Sequence, residues 1–141
     1  MDISTPISPT AVAVYDTPGW AWDVAVAGNY LYVTNYEASE MYIADITDPL
    51  HPAEVRVYYA PGYIYDVAVG GSYAYLGTYL GLQVLDISNP TQPLELGLYD
   101  LSAYEIAVAA DYAYAAAGSG LRVRNCTSSA EVQGMGSFPG A

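Results

Sequence analysis

Three carboxylates, Asp23, Asp66 and Glu105, stand at matching places near the start of three successive alternating apolar runs in this 141-residue chain. Acidic oxygens gathered around one axis would make the all-oxygen site that a hard cation such as calcium takes. The same side chains have a plainer use, which is to accept backbone N–H groups of a neighbouring unit and so set the angle between units. A second set is aromatic: Trp20, Trp22, Tyr63, Tyr65 and Tyr104. Collected on one rim, such rings offer flat apolar faces to a sugar or a peptide; dispersed along strands, they pack sheets together. Trp20 and Tyr63 each follow a turn glycine, Gly19 and Gly62.

Nucleophilic and metal-centred catalysis find no constellation. His51 is the only histidine and lies in a loop between Pro49 and Pro52, so no ligand pair at zinc spacing exists. No Ser-His-Asp set assembles on a strand-to-helix elbow, and no glycine-rich phosphate loop opens a helix. Cys126 is the sole cysteine, which excludes an internal disulfide. It occupies the column held elsewhere by Ile3, Ile46 and Ile87, and is expected to be buried apolar filler. The chain is therefore expected not to be an enzyme and to need no cofactor, calcium being the one candidate ion.

Composition narrows the partners. Fifteen acids face three arginines, with no lysine, for a net charge of −12. Such a surface repels phosphate backbones and anionic headgroups, which argues against nucleic acid and membrane surfaces. Apolar residues make up 53% of the chain, enough for a real core. No stretch approaches the roughly 18 apolar residues of a membrane span, and Met1-Asp2-Ile3 is not the basic start of a signal peptide.

The elements that must position these groups are strands. Apolar residues alternate over Trp20 to Ala27, Tyr30 to Asn35, Met41 to Ile46 and Glu54 to Tyr59. The pattern returns over Tyr63 to Val69, Tyr73 to Thr78, Leu82 to Ile87 and Leu94 to Tyr99. It returns again over Ala103 to Ala109, Tyr112 to Ala117, Leu121 to Cys126 and, more weakly, Glu131 to Phe138. A short extra strand is expected at Ala11 to Asp16. Gly28-Asn29 and Gly70-Gly71-Ser72 supply the positive φ of tight hairpin turns.

A longer period overlies this one. Asp2, Asp45 and Asp86 each open the pattern D-I-[ST]-x-P-x-x-P, and Asn125 begins an eroded copy without the prolines. Asp and Ser or Thr bond the backbone just ahead of them, while proline cannot donate to a ladder, so each copy closes one strand and opens the next. A period near ~40 residues with several short strands in each points to propeller blades. Counted from these aspartates, the repeats are 2–44, 45–85 and 86–124, with a partial repeat 125–141, in a single propeller half-domain 1–141.

The run V-L-D-I-S-N-P-T-Q-P-L-E-L-G, with the strand pair from Gly71 to Leu76, resembles the LVIVD repeat, a propeller-forming repeat of bacterial and archaeal proteins that are often secreted or surface-attached. The resemblance implies an all-β fold of about three four-stranded antiparallel blades per chain. That family has no shared catalytic residues to carry over. The last copy departs from the pattern, which puts the strand from Glu131 to Phe138 in question as a regular blade edge.

Three blades are fewer than the four or more that close a ring. Two solutions follow: a piece of a longer propeller, or two chains closing a six-bladed ring, with Ala11 to Asp16 completing a blade of the neighbouring chain. The functional expectation is a non-catalytic extracellular or cell-surface module that assembles with itself as a homodimer or higher form and takes a protein or glycan ligand. The alternative is a cation-dependent or carbohydrate-binding propeller built on the carboxylate column and the aromatic rim.

Overall fold

The computed structural model describes residues 2, 4, 7–8, 10–100, 103–109, 111–117, 120–128 and 131–139, with the backbone alone for 124–128 and 131–139. All regular structure among them is β, as twelve strands. The first blade holds β1 (Ala21–Ala27), β2 (Tyr30–Asn35), β3 (Glu40–Asp45) and β4 (Ala53–Tyr59). The second holds β5 (Ile64–Gly70), β6 (Tyr73–Thr78), β7 (Gly81–Asp86) and β8 (Leu94–Tyr99). The third holds β9 (Glu105–Ala109), β10 (Tyr112–Ala117), β11 (Gly120–Ser128) and β12 (Glu131–Pro139). Each blade is a four-stranded antiparallel sheet in chain order.

Local chemistry explains the repetition. Gly28 and Gly71 sit at φ of 57° and 58° in the hairpins that join the first two strands of their blades. Asp45 Oδ1 accepts the Thr47 N–H at 2.7 Å, and Asp86 Oδ1 accepts that of Ser88 at 2.8 Å. Asp2 does the same with Ser4. These are the Asx turns expected of the D-I-[ST] motif, and those at Asp45 and Asp86 fall between the third and fourth strands of a blade. All three blades also carry a bulge between those strands, at Ile43/Ala44, Val84/Leu85 and Val123/Arg124.

The final strand forms although its motif has eroded: β12 pairs with β11 over nine residues each. The Cys126 side chain lies outside the described residues. The strand expected at Ala11 to Asp16 is absent, and those residues carry no regular structure. Each sheet already has its fourth strand from its own blade, so this segment has no edge to complete within the chain. Its Tyr15 hydroxyl instead donates to Glu54 on β4 at 3.5 Å.

The core lies between blades rather than within a single sheet. β1, β5 and β9 touch in sequence and form the inner edge. In the seam between the first two blades, Tyr32, Met41 and Ile43 pack on Ile64, Val67, Leu76 and Leu85. In the seam between the second and third, Tyr75, Leu82 and Val84 pack on Ala103, Ile106, Ala113 and Ala115. Each blade therefore has a trailing face that carries the tyrosine and a leading face that carries a β-branched residue of the inner strand.

Candidate functional site

The inner strands of the first two blades begin with a bulge. Pairing with the second strand slips between Ala21 and Asp23, and between Ile64 and Asp66, so the extra residue is Trp22 in one and Tyr65 in the other. A bulge turns side chains out of the pleat. Here it puts an aromatic ring at the end of the propeller and the next residue, the carboxylate, on the trailing face.

The carboxylates meet the next blade. Asp23 Oδ2 accepts the backbone N–H of Val67 at 2.9 Å, and Asp66 Oδ2 accepts that of Ile106. The donor is in each case the residue after the next blade's own carboxylate, so the column hands on from blade to blade. Thr34 adds a local brace, its Oγ1 accepting the Asp23 N–H at 3.1 Å. The use foreseen as the plainer one, an amide acceptor that fixes blade angle, is the one found at Asp23 and Asp66. Glu105 is exposed on the trailing face of the third blade and accepts no such amide among the described residues.

Asp66 is buried to 9% exposure. Loss of solvation and the neighbouring Asp23 carboxyl push its pKa up to about 7, against the lowering effect of the Ile106 amide; Glu105 adds a smaller upward push. A protonated Asp66 can donate to Asp23 while still accepting from Ile106. Among the described residues no group of three or more His, Cys, Asp or Glu is placed to hold a metal ion.

The aromatic set is largely assembled, through a residue the sequence reading missed. Tyr36, just after β2, lies 5.2 Å from Trp22 and stacks on Tyr63 at 5.4 Å. It also reaches Tyr65 at 6.1 Å, and Tyr65 reaches Tyr104 at 5.3 Å. Trp22, Tyr36, Tyr63, Tyr65 and Tyr104 thus make one ladder across all three blades. Trp20 stands outside it, exposed, with its carbonyl accepting the Tyr36 N–H. The available signal was a shared column, since Tyr36 and Tyr79 both follow the second strand of a blade. Beside the ladder, Tyr65, Thr78, Tyr79, Ala103 and Tyr104 line a depression of about 300 Å³.

With this geometry in place, the comparisons with known proteins are decisive for family. The LVIVD repeat matches residues 18–59 and again 61–101. The chain belongs to the LVIVD-repeat family. The two matched stretches are the first two blades, each with its lead-in turn. No curated protein matches the chain. A functionally unknown protein from Desulfotomaculum acetoxidans has a similar fold, with a TM-score of 0.73 at 15% identity over 84% of this chain and 42% of that one. BamB from Moraxella catarrhalis, a propeller protein, gives 0.70 at 13% over 89% and 38%. The computationally designed Ika4 protein gives 0.68 at 12% over 89% and 78%. At these identities the likeness concerns the fold alone: this LVIVD-repeat chain is a β-propeller segment. It spans less than half of the length of the two natural proteins.

Proposed function

We propose that this LVIVD-repeat chain is a non-catalytic interaction module, extracellular or on a cell surface, that assembles with itself through its blade faces. The observation that carries this reading is how the carboxylate column is used: Asp23 and Asp66 spend an oxygen each on an inter-blade amide. The acidic side chains best placed for chemistry are thereby part of the scaffold. No helix among the described residues is long and apolar enough to cross a membrane. Light scattering across a hundredfold concentration range should show a species heavier than one chain. A strict monomer throughout would overturn the self-assembly reading.

One observation favours a second reading, carbohydrate binding at the aromatic ladder. Trp22, Tyr63 and Tyr104 are exposed on that end of the molecule, and clustered amphipathic rings suit the apolar faces of sugars. Titration with an oligosaccharide panel, followed by tryptophan fluorescence, should then quench Trp22 emission, and a Trp22→Phe variant should lose most of that change. A flat titration across the panel removes this reading. Among the described residues no group of three or more His, Cys, Asp or Glu offers calcium a ligand cluster.

A further inference from the structure

The two seams inside the chain follow one recipe, and each end of the chain displays half of it. On the trailing side stand a tyrosine of the second strand and a carboxylate of the first: Tyr32 with Asp23, then Tyr75 with Asp66. On the leading side stands a β-branched residue whose backbone N–H meets that carboxylate: Val67, then Ile106. Both parts are buried wherever the seam is made. Tyr32 and Tyr75 are 1% and 2% exposed, and Val67 and Ile106 are 4% and 6%.

The third trailing half is Tyr114 with Glu105, and the third leading half is Val24. Tyr114 is 39% exposed and Val24 is 56% exposed, with Val26 beside it at 57%. Ala107 and Ala116 are exposed along the same trailing face. Register shows that the backbone of Val24 is equivalent to that of Val67. Val24 pairs with Val33 in the first blade as Val67 pairs with Leu76 in the second and Ile106 with Ala115 in the third. Since the Val67 and Ile106 amides point off the free edge of the inner strand toward a carboxylate, the Val24 amide points the same way. Among the described residues no carboxylate accepts from it.

Resting on the self-assembly reading above, we propose that a second copy of this chain completes the seam: Glu105 of one copy accepts the Val24 N–H of the other, Tyr114 packs on Val24, and the reciprocal contact closes a six-bladed ring. The occupant follows from continuity with the seams already made, because the two loose halves are complementary by the same residue columns and sit at opposite ends of one chain. A ring of two copies hides both halves at once and leaves no blade face open. Glutamate in place of aspartate lengthens the accepting arm by one methylene at the two equivalent seams formed between chains.

The test is light scattering on the intact chain and three variants. Wild type should run at twice the chain mass. Glu105→Ala should weaken association by about 10- to 100-fold for each of the two seams, the range for losing a hydrogen bond to a charged group. Glu105→Gln, which keeps an acceptor, should recover most of that loss. Val24→Pro should weaken association at least as much as Glu105→Ala, because it removes both the N–H that faces away from β2 on an edge strand and the side chain on which Tyr114 packs. Circular dichroism of Glu105→Ala should match wild type, since Glu105 accepts no backbone amide among the described residues of its own chain. A wild-type assembly unchanged in both Glu105→Ala and Val24→Pro would overturn the latch and leave self-assembly standing. Monomer at every concentration would overturn both. Long polymers that dissolve on Glu105→Ala would support the seam and overturn ring closure.

Discussion

Asp66→Asn is expected to raise the melting temperature at pH 8 and to remove most of its change between pH 4 and 7. The unfolded aspartate releases its proton near 3.8, whereas the folded one holds it to about 7. Between those values the folded chain carries the extra proton, so stability falls as pH rises through the window, is full below it and is flat above it. The full shift corresponds to about 4 kcal/mol. Discounted for the coupling to Asp23, the working expectation is roughly half, ~2 kcal/mol, or about 7 °C for a chain of this length. Asparagine reproduces the protonated state, with an oxygen for the Ile106 amide and an N–H for Asp23. Asp66→Ala should lose the same pH dependence but lie about 1–3 kcal/mol below Asp66→Asn at every pH, because the Ile106 amide keeps no acceptor in a buried seam. Below about pH 4 the trend reverses, since Asp2, Asp45 and Asp86 are held below the usual carboxylate range by Ser4, Thr47 and Ser88 and lose those bonds on protonation. Calorimetric melts from pH 3 to 9 on wild type and both variants check all of this. An Asp66→Asn curve parallel to wild type would refute the assignment.

Gly77→Ala is the second large effect, and it acts by distance alone. Gly77 lies on β6 in the seam face of the second blade, where an added Cβ would stand 2.2 Å from the carbonyl oxygen of Ala103 and 3.1 Å from its carbon. Those atoms are backbone, so relief requires the third blade to move away from the second. The expected cost is about 3 kcal/mol, the upper end for overpacking, or roughly 10 °C in melting temperature. Hydrogen exchange should place the loss in β9 to β12 while β1 to β4 keep their protection. Gly71→Ala is the control, because its Cβ meets nothing within 4 Å and only its positive φ is strained. That strain is worth about 1–2 kcal/mol, without loss of blade docking. Equal losses in the two variants, spread evenly over the chain, would show that the seam at Gly77 is less tightly made than it stands.

Most of the architecture was readable because period two and the ~40-residue period are both properties of local sequence. Tyr30 to Asn35, Tyr73 to Thr78, Leu94 to Tyr99 and Tyr112 to Ala117 match β2, β6, β8 and β10 residue for residue. Ala11 to Asp16 shows the limit of this reasoning: alternation marks a segment able to pair, but pairing also needs a vacant edge, and the blades supply none within the chain. The carboxylate column was visible as a column, with an ion and a neighbouring amide as its two possible partners. Whether Asp23 and Asp66 face an ion or an amide turns on one bulge before each residue and on the approach of the next blade. Both arise from packing over forty residues of separation.

The repeat, the strands and the Asx turns were determined by the order of residues, since each depends on neighbours a few positions away. Tertiary structure alone decided that Tyr36 links the aromatic ladder, that Gly77 has no room for a methyl group, that Asp66 keeps its proton toward neutral pH, and that Val24 and Tyr114 are left uncovered. Each of these depends on how close one blade stands to the next, a distance that no single repeat specifies.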